Sequence, residues 1–204
     1  MVTSYLGTPG SGKSLHVAKD IVNALATGRL IITNFPVNTE GQKIHNKTRL
    51  VTLDNQSLKY SPHLITCACR SYFEKYGKRK VLVVLDECQM LFDSRNWNAP
   101  GREDWNYFFA QHRKICGVDS NVVLITQNEK ALDKRIVVQA EYFCQHRKLE
   151  YGSTWEFILS MFFGFNLFIY KKIWRPGKET VQVSFFRGKK KLFNLYDTFM
   201  IFQK

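Results

Sequence analysis

The sequence predicts an α/β fold: a central parallel sheet flanked by helices, with antiparallel strands added towards the C-terminus. Three observations predict it. A glycine-rich stretch, Gly7-Thr8-Pro9-Gly10-Ser11-Gly12-Lys13-Ser14, lies between an apolar run, Val2 to Leu6, and Leu15, Val17, Ala18, Ile21, Val22 and Leu25 at close to helical period. Two aliphatic runs, Val81-Leu82-Val83-Val84-Leu85 and Val122-Val123-Leu124-Ile125, have the unbroken apolar character of strands covered on both faces. From residue 138 onward, short apolar segments alternate with the turn signals Tyr151-Gly152, Pro176-Gly177 and Arg187-Gly188.

The first stretch fits the phosphate-loop pattern of Gly, four residues, then Gly-Lys-Ser, in the strand–loop–helix context that the motif requires. Its glycines let the backbone fold back so that successive N–H groups point at an anion, and the helix N-terminus behind adds partial positive charge. Gly7, Thr8, Pro9, Gly10, Ser11, Gly12, Lys13, Ser14 and Leu15 are therefore the candidate nucleotide-binding residues. Lys13 is placed to reach the β- and γ-phosphates of ATP, and the Ser14 hydroxyl to hold Mg²⁺.

Gly28 is placed to cap the first helix, and Leu30-Ile31-Ile32 reads as a second buried strand ending at Thr33-Asn34-Phe35-Pro36. Residues 37–49 read as a polar loop or hairpin, with His45, like His63 further on, a surface histidine. Residues 50–79 are ambiguous apart from a short helix at Tyr72–Tyr76 before Gly77, and Lys78-Arg79-Lys80 reads as a solvated loop. The strand at residues 81–85 ends in Asp86-Glu87. A carboxylate there suits the Mg²⁺ shell, and a second one suits activation of water, so Asp86 is assigned to the metal and Glu87 to catalysis. In the loop to Gly101, Arg95 and Trp97 suit packing on a base or a neighbouring subunit, although covering the core is the expected role of Trp97. Trp105, Phe108, Phe109 and His112 have helical spacing over residues 103–115. The next strand ends at Thr126-Gln127. An additional-strand, catalytic-Glu type of P-loop NTPase places such a strand between the loop strand and the Asp-Glu strand, which makes Gln127 the γ-phosphate sensor. Leu132, Ile136 and Val137 follow as a short helix or turn, and Val138–Phe143, Glu156–Tyr170 and Val181–Phe186 read as strands. Residues 1–137 are thus expected to form the ATPase core and residues 138–204 a basic β extension packed on it.

The chain has 30 Lys+Arg against 17 Asp+Glu, a net charge of +13, which points to a polyanionic neighbour. Residues 147–191 hold ten Lys/Arg against three Glu, interleaved with Phe and Trp. That pattern suits an anionic membrane surface or single-stranded DNA, with membrane proximity preferred. The five cysteines have no metal-ligand spacing and read as reduced thiols of a cytoplasmic protein. No signal peptide precedes the first strand, and the longest apolar stretch, Phe157–Tyr170, falls short of the ~18 residues of a membrane span.

The motifs taken together resemble a known family. They are the phosphate loop, Thr33-Asn34-Phe35-Pro36, Leu85-Asp86-Glu87-Cys88-Gln89, Gln111-His112-Arg113-Lys114 before Gly117-Val118-Asp119, Ile125-Thr126-Gln127, and the closing Arg187-Gly188-Lys189-Lys190-Lys191-Leu192-Phe193-Asn194-Leu195-Tyr196-Asp197-Thr198-Phe199. In this order they are similar to the zonula occludens toxin-like family, the assembly and secretion ATPases of filamentous bacteriophages. The resemblance implies an oligomeric ATPase at the cytoplasmic face of the bacterial inner membrane, working with phage coat and secretion proteins to extrude single-stranded phage DNA. Family members continue into a transmembrane helix and a periplasmic part, neither of which follows Lys204, so the expectation is the cytoplasmic domain of such a protein or a shorter relative. Motors of this kind often complete the site with an arginine from the next subunit, for which Arg113 and Arg135 are the candidates. Two alternatives stay open: a nucleotide-gated interaction module with little turnover, and a small-molecule kinase sharing the loop.

Overall fold

The computed structural model describes residues 1–39, 46–77 and 80–196. Eight strands form one sheet: β1 (Val2–Leu6), β2 (Leu30–Thr33), β3 (Leu50–Thr52), β4 (Val81–Leu85), β5 (Asn121–Thr126), β6 (Tyr142–Lys148), β7 (Leu167–Trp174) and β8 (Glu179–Arg187). The helices are α1 (Lys13–Ala26), α2 (Asn55–Tyr60), α3 (His63–Tyr76), α4 (Arg102–Cys116), α5 (Lys134–Gln139), α6 (Thr154–Phe162) and α7 (Lys190–Phe193). The strand order is β3-β2-β4-β5-β1-β6-β7-β8. β5 therefore lies between β1 and β4, the position that the sequence reading assigned to it.

Side-chain alternation divides the core. Val81, Val83 and Leu85 of β4, with Val122 and Leu124 of β5, face a cluster built with Ile65, Trp105 and Phe108 from α3 and α4. Leu82, Val84, Val123 and Ile125 face the other way, onto Val17, Ile21 and Leu25 of α1. A run apolar at every position is thus buried on both faces of a parallel sheet. Gly28 (φ 71°) and Gly77 (φ 63°) end α1 and α3 in the left-handed conformation that costs glycine nothing.

Several local expectations are corrected. Glu156–Tyr170 is not one strand: its first part is α6, and β7 begins at Leu167. The reason is a capping box at Ser153-Thr154-Trp155-Glu156, in which the Ser153 N–H donates to Glu156 Oε2 at 2.9 Å. Gly164 (φ 64°) then stops the helix, and the Phe165 N–H returns to the Ser160 carbonyl at 2.8 Å. Val138 and Gln139 belong to α5, and the strand that follows runs on to Lys148. That strand, β6, pairs parallel with β1, so antiparallel pairing begins only between β6 and β7. Residues 50–79 contain β3, α2 and the whole of α3, of which only the last turn was expected. His63 is exposed, as expected; His45, Lys78, Arg79 and Asp197–Phe199 lie outside the described residues. Trp97 does not cover the core: it is exposed, with the Arg135 guanidinium 5.8 Å from its ring centroid.

Candidate nucleotide-binding site

Parallel strands deliver their C-terminal ends to one edge of the sheet. β1 ends at the glycine loop, β4 at Asp86-Glu87 and β5 at Gln127, and these three meet around a single cleft of about 1020 Å³. Three loop glycines have positive φ: Gly7 (153°), Gly10 (76°) and Gly12 (93°). At Gly12 a Cβ would also meet the Phe168 ring at 2.6 Å, so β7 packs against the loop and leaves room only for glycine. The Ser11 hydroxyl is buried with no hydrogen-bond partner among the described residues, a donor left free in the wall of the loop.

Lys13 opens α1 and is only 8% exposed. Its Nζ donates to the carbonyls of Gly7 (2.6 Å) and Thr8 (3.0 Å), which stretches the side chain across the loop. Burial lowers its pKa, against the pull of the Asp86 and Glu87 charges. Asp86 is also 8% exposed. Burial raises its carboxyl to about 6, opposed by the Glu87 N–H that Oδ1 accepts (2.7 Å) and by Lys13, and aided by the Glu87 charge. Glu87 has a left-handed backbone (φ 47°, ψ 48°), uncommon for a residue with a Cβ and a recurrent feature of functional sites. Its carboxylate accepts from Gln127 Nε2 at 3.4 Å and from Gln89 Nε2, and Gln89 accepts from the Thr126 hydroxyl at 3.0 Å. The acid on β4 is therefore tied to the tip of β5.

A match to the family model of zonular occludens toxin (Zot) covers residues 1–200. The chain belongs to the Zot family. It is 29% identical over 154 residues to the Gene 1 protein of Enterobacteria phage I2-2, a match covering 71% of this chain and 39% of that protein. The Zot-family chain thus spans well under half the length of that relative. Its fold is similar to the N-terminal domain of zonular occludens toxin from Neisseria meningitidis (TM-score 0.57, 18% identity, 96% of this chain and 98% of that one). The fold is also similar to the genome packaging NTPase B204 from Sulfolobus turreted icosahedral virus 2, solved in complex with ATP-gammaS (TM-score 0.52, 13% identity, 92% and 97% covered). The architecture is that of a P-loop NTPase with an additional strand between the loop strand and the acidic strand.

Among the sequence-assigned residues, this Zot-family fold brings Pro9–Leu15, Asp86, Glu87 and Gln127 to the cleft wall. Arg135 stands at the same end of the sheet, after β5, where Asp133 holds it (Nη2–Oδ2 3.1 Å) and its guanidinium also donates to the Trp97 carbonyl. Arg113 lies elsewhere. It is in the last turn of α4 beside His112, whose Nε2 is 3.0 Å from the amino group of Met1 at the opposite end of β1.

Three contributors had no role in the sequence reading. Asn34 grips the backbone at Asp86: its Oδ1 accepts the Asp86 N–H (2.6 Å), and its Nδ2 donates to the Asp86 carbonyl (2.9 Å) and to Asn55 Oδ1 (2.7 Å). Tyr196 hydroxyl donates to Asp86 Oδ2, and its ring packs on Phe35 at 4.6 Å. The segment that carries it crosses the cleft, with Leu192, Phe193 and Asn194 in the wall. The third contributor lies beneath the loop, where the buried imidazoles of His16 and His146 meet at 2.8 Å. Burial lowers both to about 3, and it raises the neighbouring Asp20, which accepts from the Tyr5 hydroxyl (2.7 Å), to about 6. For Asn34 the only hint was its place after a strand, before Phe-Pro. Tyr196 stood in the closing motif of the family resemblance without a role, and for the histidine pair the sequence offered no hint.

Proposed function

We propose that this chain is an ATP-hydrolysing motor of filamentous-phage assembly, acting on the cytoplasmic side of the host inner membrane. The convergence of Lys13, Asp86, Glu87 and Gln127 on the cleft that carries the phosphate loop supports this reading above all. The donor set suits a magnesium nucleotide: a buried carboxylate, a hydroxyl at Ser14 and a cradle of positive-φ glycines. Bound there, Mg²⁺ would be held by Ser14 and Asp86 and would supply positive charge to the β- and γ-phosphate oxygens. Lys13 shifts its donors from the Gly7 and Thr8 carbonyls to phosphate oxygens. Glu87 accepts a proton from water as the water oxygen bonds to the γ-phosphorus and the bond to the ADP oxygen breaks. Gln127, already bonded to Glu87, orients that water from the tip of β5.

Oligomerisation would complete the site with an arginine in trans. Arg135 and Arg113 are the two candidates, and single alanine variants of each distinguish them. Phage coat and secretion proteins are the partners, ahead of direct contact with single-stranded DNA. The anionic face of the membrane is the partner of the basic strands. Among the described residues no helix is long and apolar enough to cross a membrane. The test is phosphate release measured across protein concentration, with and without anionic liposomes, beside Glu87→Gln. Turnover that rises faster than concentration and vanishes in Glu87→Gln is expected. Turnover unchanged in the variant removes Glu87 from the mechanism, and transfer to a nucleoside instead of water would make the protein a kinase.

A further inference from the structure

The surface feature that the nucleotide chemistry leaves unused is α6. Trp155, Phe157, Ile158, Leu159, Met161 and Phe162 are all exposed on this one short helix, Trp155 at 80% and Phe162 at 83%. Phe163 and Phe165 extend the exposed apolar surface through the turn that follows. One polar side chain ties the helix to β6 and another is turned back onto the helix itself. Glu156 is paired with Arg147 by two hydrogen bonds of 2.7 and 2.8 Å, and Ser160 is buried with its hydroxyl on the Phe157 carbonyl at 2.7 Å. Monomeric soluble proteins seldom leave so much contiguous apolar surface without a use.

The charge beside the helix identifies what covers it. The Gly188 N–H donates to the Asn166 carbonyl at 2.8 Å, which fixes Arg187 and Lys189–Lys191 next to the α6–β7 turn. Arg187, Lys189, Lys190 and Lys191 are exposed there. A bare aromatic helix bordered by a basic run is the pattern of an interfacial helix on anionic lipid. At about 1.5 Å per residue the nine residues of α6 extend about 14 Å, far short of the ~30 Å hydrocarbon core, so the helix lies in the interface and does not span it. A second copy of the chain fits less well. It carries the same net +13, and a self-complementary contact through α6 would bring the two basic runs together.

We propose that α6, with the turn to Asn166, docks into the interfacial layer of an anionic phospholipid bilayer while Arg187 and Lys189–Lys191 contact the headgroups. The proposal rests on the membrane-side reading above, but it is tested without nucleotide, so its failure and that of the ATPase reading are distinguishable. The experiment is cosedimentation of the chain with phosphatidylglycerol/phosphatidylethanolamine vesicles and with phosphatidylcholine vesicles. Quenching of tryptophan fluorescence by brominated acyl chains is measured in parallel. Binding to the anionic vesicles only is expected, with quenching that disappears in Trp155→Phe. Trp155→Ser/Phe162→Ser should lower the vesicle partition by about tenfold or more, with an unchanged circular-dichroism spectrum and urea midpoint as the check on folding. Arg187→Ser/Lys189→Ser should weaken binding while keeping residual quenching. Absence of quenching in the unaltered protein would overturn the proposal without recourse to any variant. So would wild-type partition of the Trp155/Phe162 variant, or a self-associating chain that ignores vesicles and becomes monomeric when these residues are changed.

Discussion

Asp86→Asn should make this protein more stable at neutral and alkaline pH while removing the carboxylate proposed to hold magnesium. The carboxyl is nearly buried and its pKa is raised from 3.8 to about 6. A carboxyl raised in the fold favours the protonated form. Its stabilising contribution is complete below 3.8 and is lost as pH rises through about 6, so above that pH the ionised group burdens the native state. The shift of roughly two units corresponds to about 3 kcal/mol at pH 8 and about half of that at pH 5. Asparagine keeps an acceptor for the Glu87 N–H, presents its amide to the Tyr196 oxygen and carries no charge. Urea unfolding of both proteins at pH 8 and pH 5 without nucleotide measures the difference, and comparing the two proteins cancels the titration of Asp20, His16 and His146. The variant should be more stable by about 2–3 kcal/mol at pH 8, with a smaller gain at pH 5. A variant less stable than wild type at pH 8, or a gain that does not change with pH, would refute the reasoning.

Other consequences follow from the same geometry. Wild-type affinity for Mg·ATP should fall as pH drops through about 6, where Asp86 gains its proton, and calorimetric titrations between pH 5 and 8 would show it. Tyr196→Phe removes a donor that competes with the metal shell for Asp86 Oδ2, so Mg·ATP should bind about three- to tenfold more tightly; equal or weaker binding in equilibrium dialysis would contradict this. Asn34→Ala strips the Asp86 N–H of its partner and should cost about 2–3 kcal/mol in chemical denaturation. Its turnover should fall more than its nucleotide affinity, because the displaced group is the backbone that aims Glu87. Gly12→Ala should abolish nucleotide binding, since a Cβ there meets Phe168 and an alanine resists φ 93°; a variant that binds Mg·ATP normally would contradict the packing described.

The central sheet was legible because β4 and β5 carry unbroken aliphatic runs. Val81–Leu85 and Val122–Ile125 have little choice but burial on both faces, and the glycine pattern announced a tight loop between β1 and α1. The place of β5 between β1 and β4 followed once Asp86-Glu87 and Gln127 were taken together; the rest of the strand order did not. What failed was periodicity in short aromatic segments. Phe157–Tyr170 is apolar at all but Ser160, Gly164 and Asn166 and suits strand or helix alike, and the deciding signal was local: the serine and glutamate of a capping box, three residues apart. The site's supporting contacts were hidden for a different reason. Asn34 and Tyr196 reach Asp86 from separate places in the chain, and only the fold creates those distances. Buried imidazoles such as His16 and His146 look no different in sequence from His63 on the surface.

Calorimetric titration of Mg·ATP into the folded chain, beside Lys13→Ala, tests most directly whether the cleft is a nucleotide site. The account predicts saturable binding at one site per chain, dependent on magnesium and lost in Lys13→Ala. No heat in folded wild-type protein, or undiminished binding in Lys13→Ala, would contradict it.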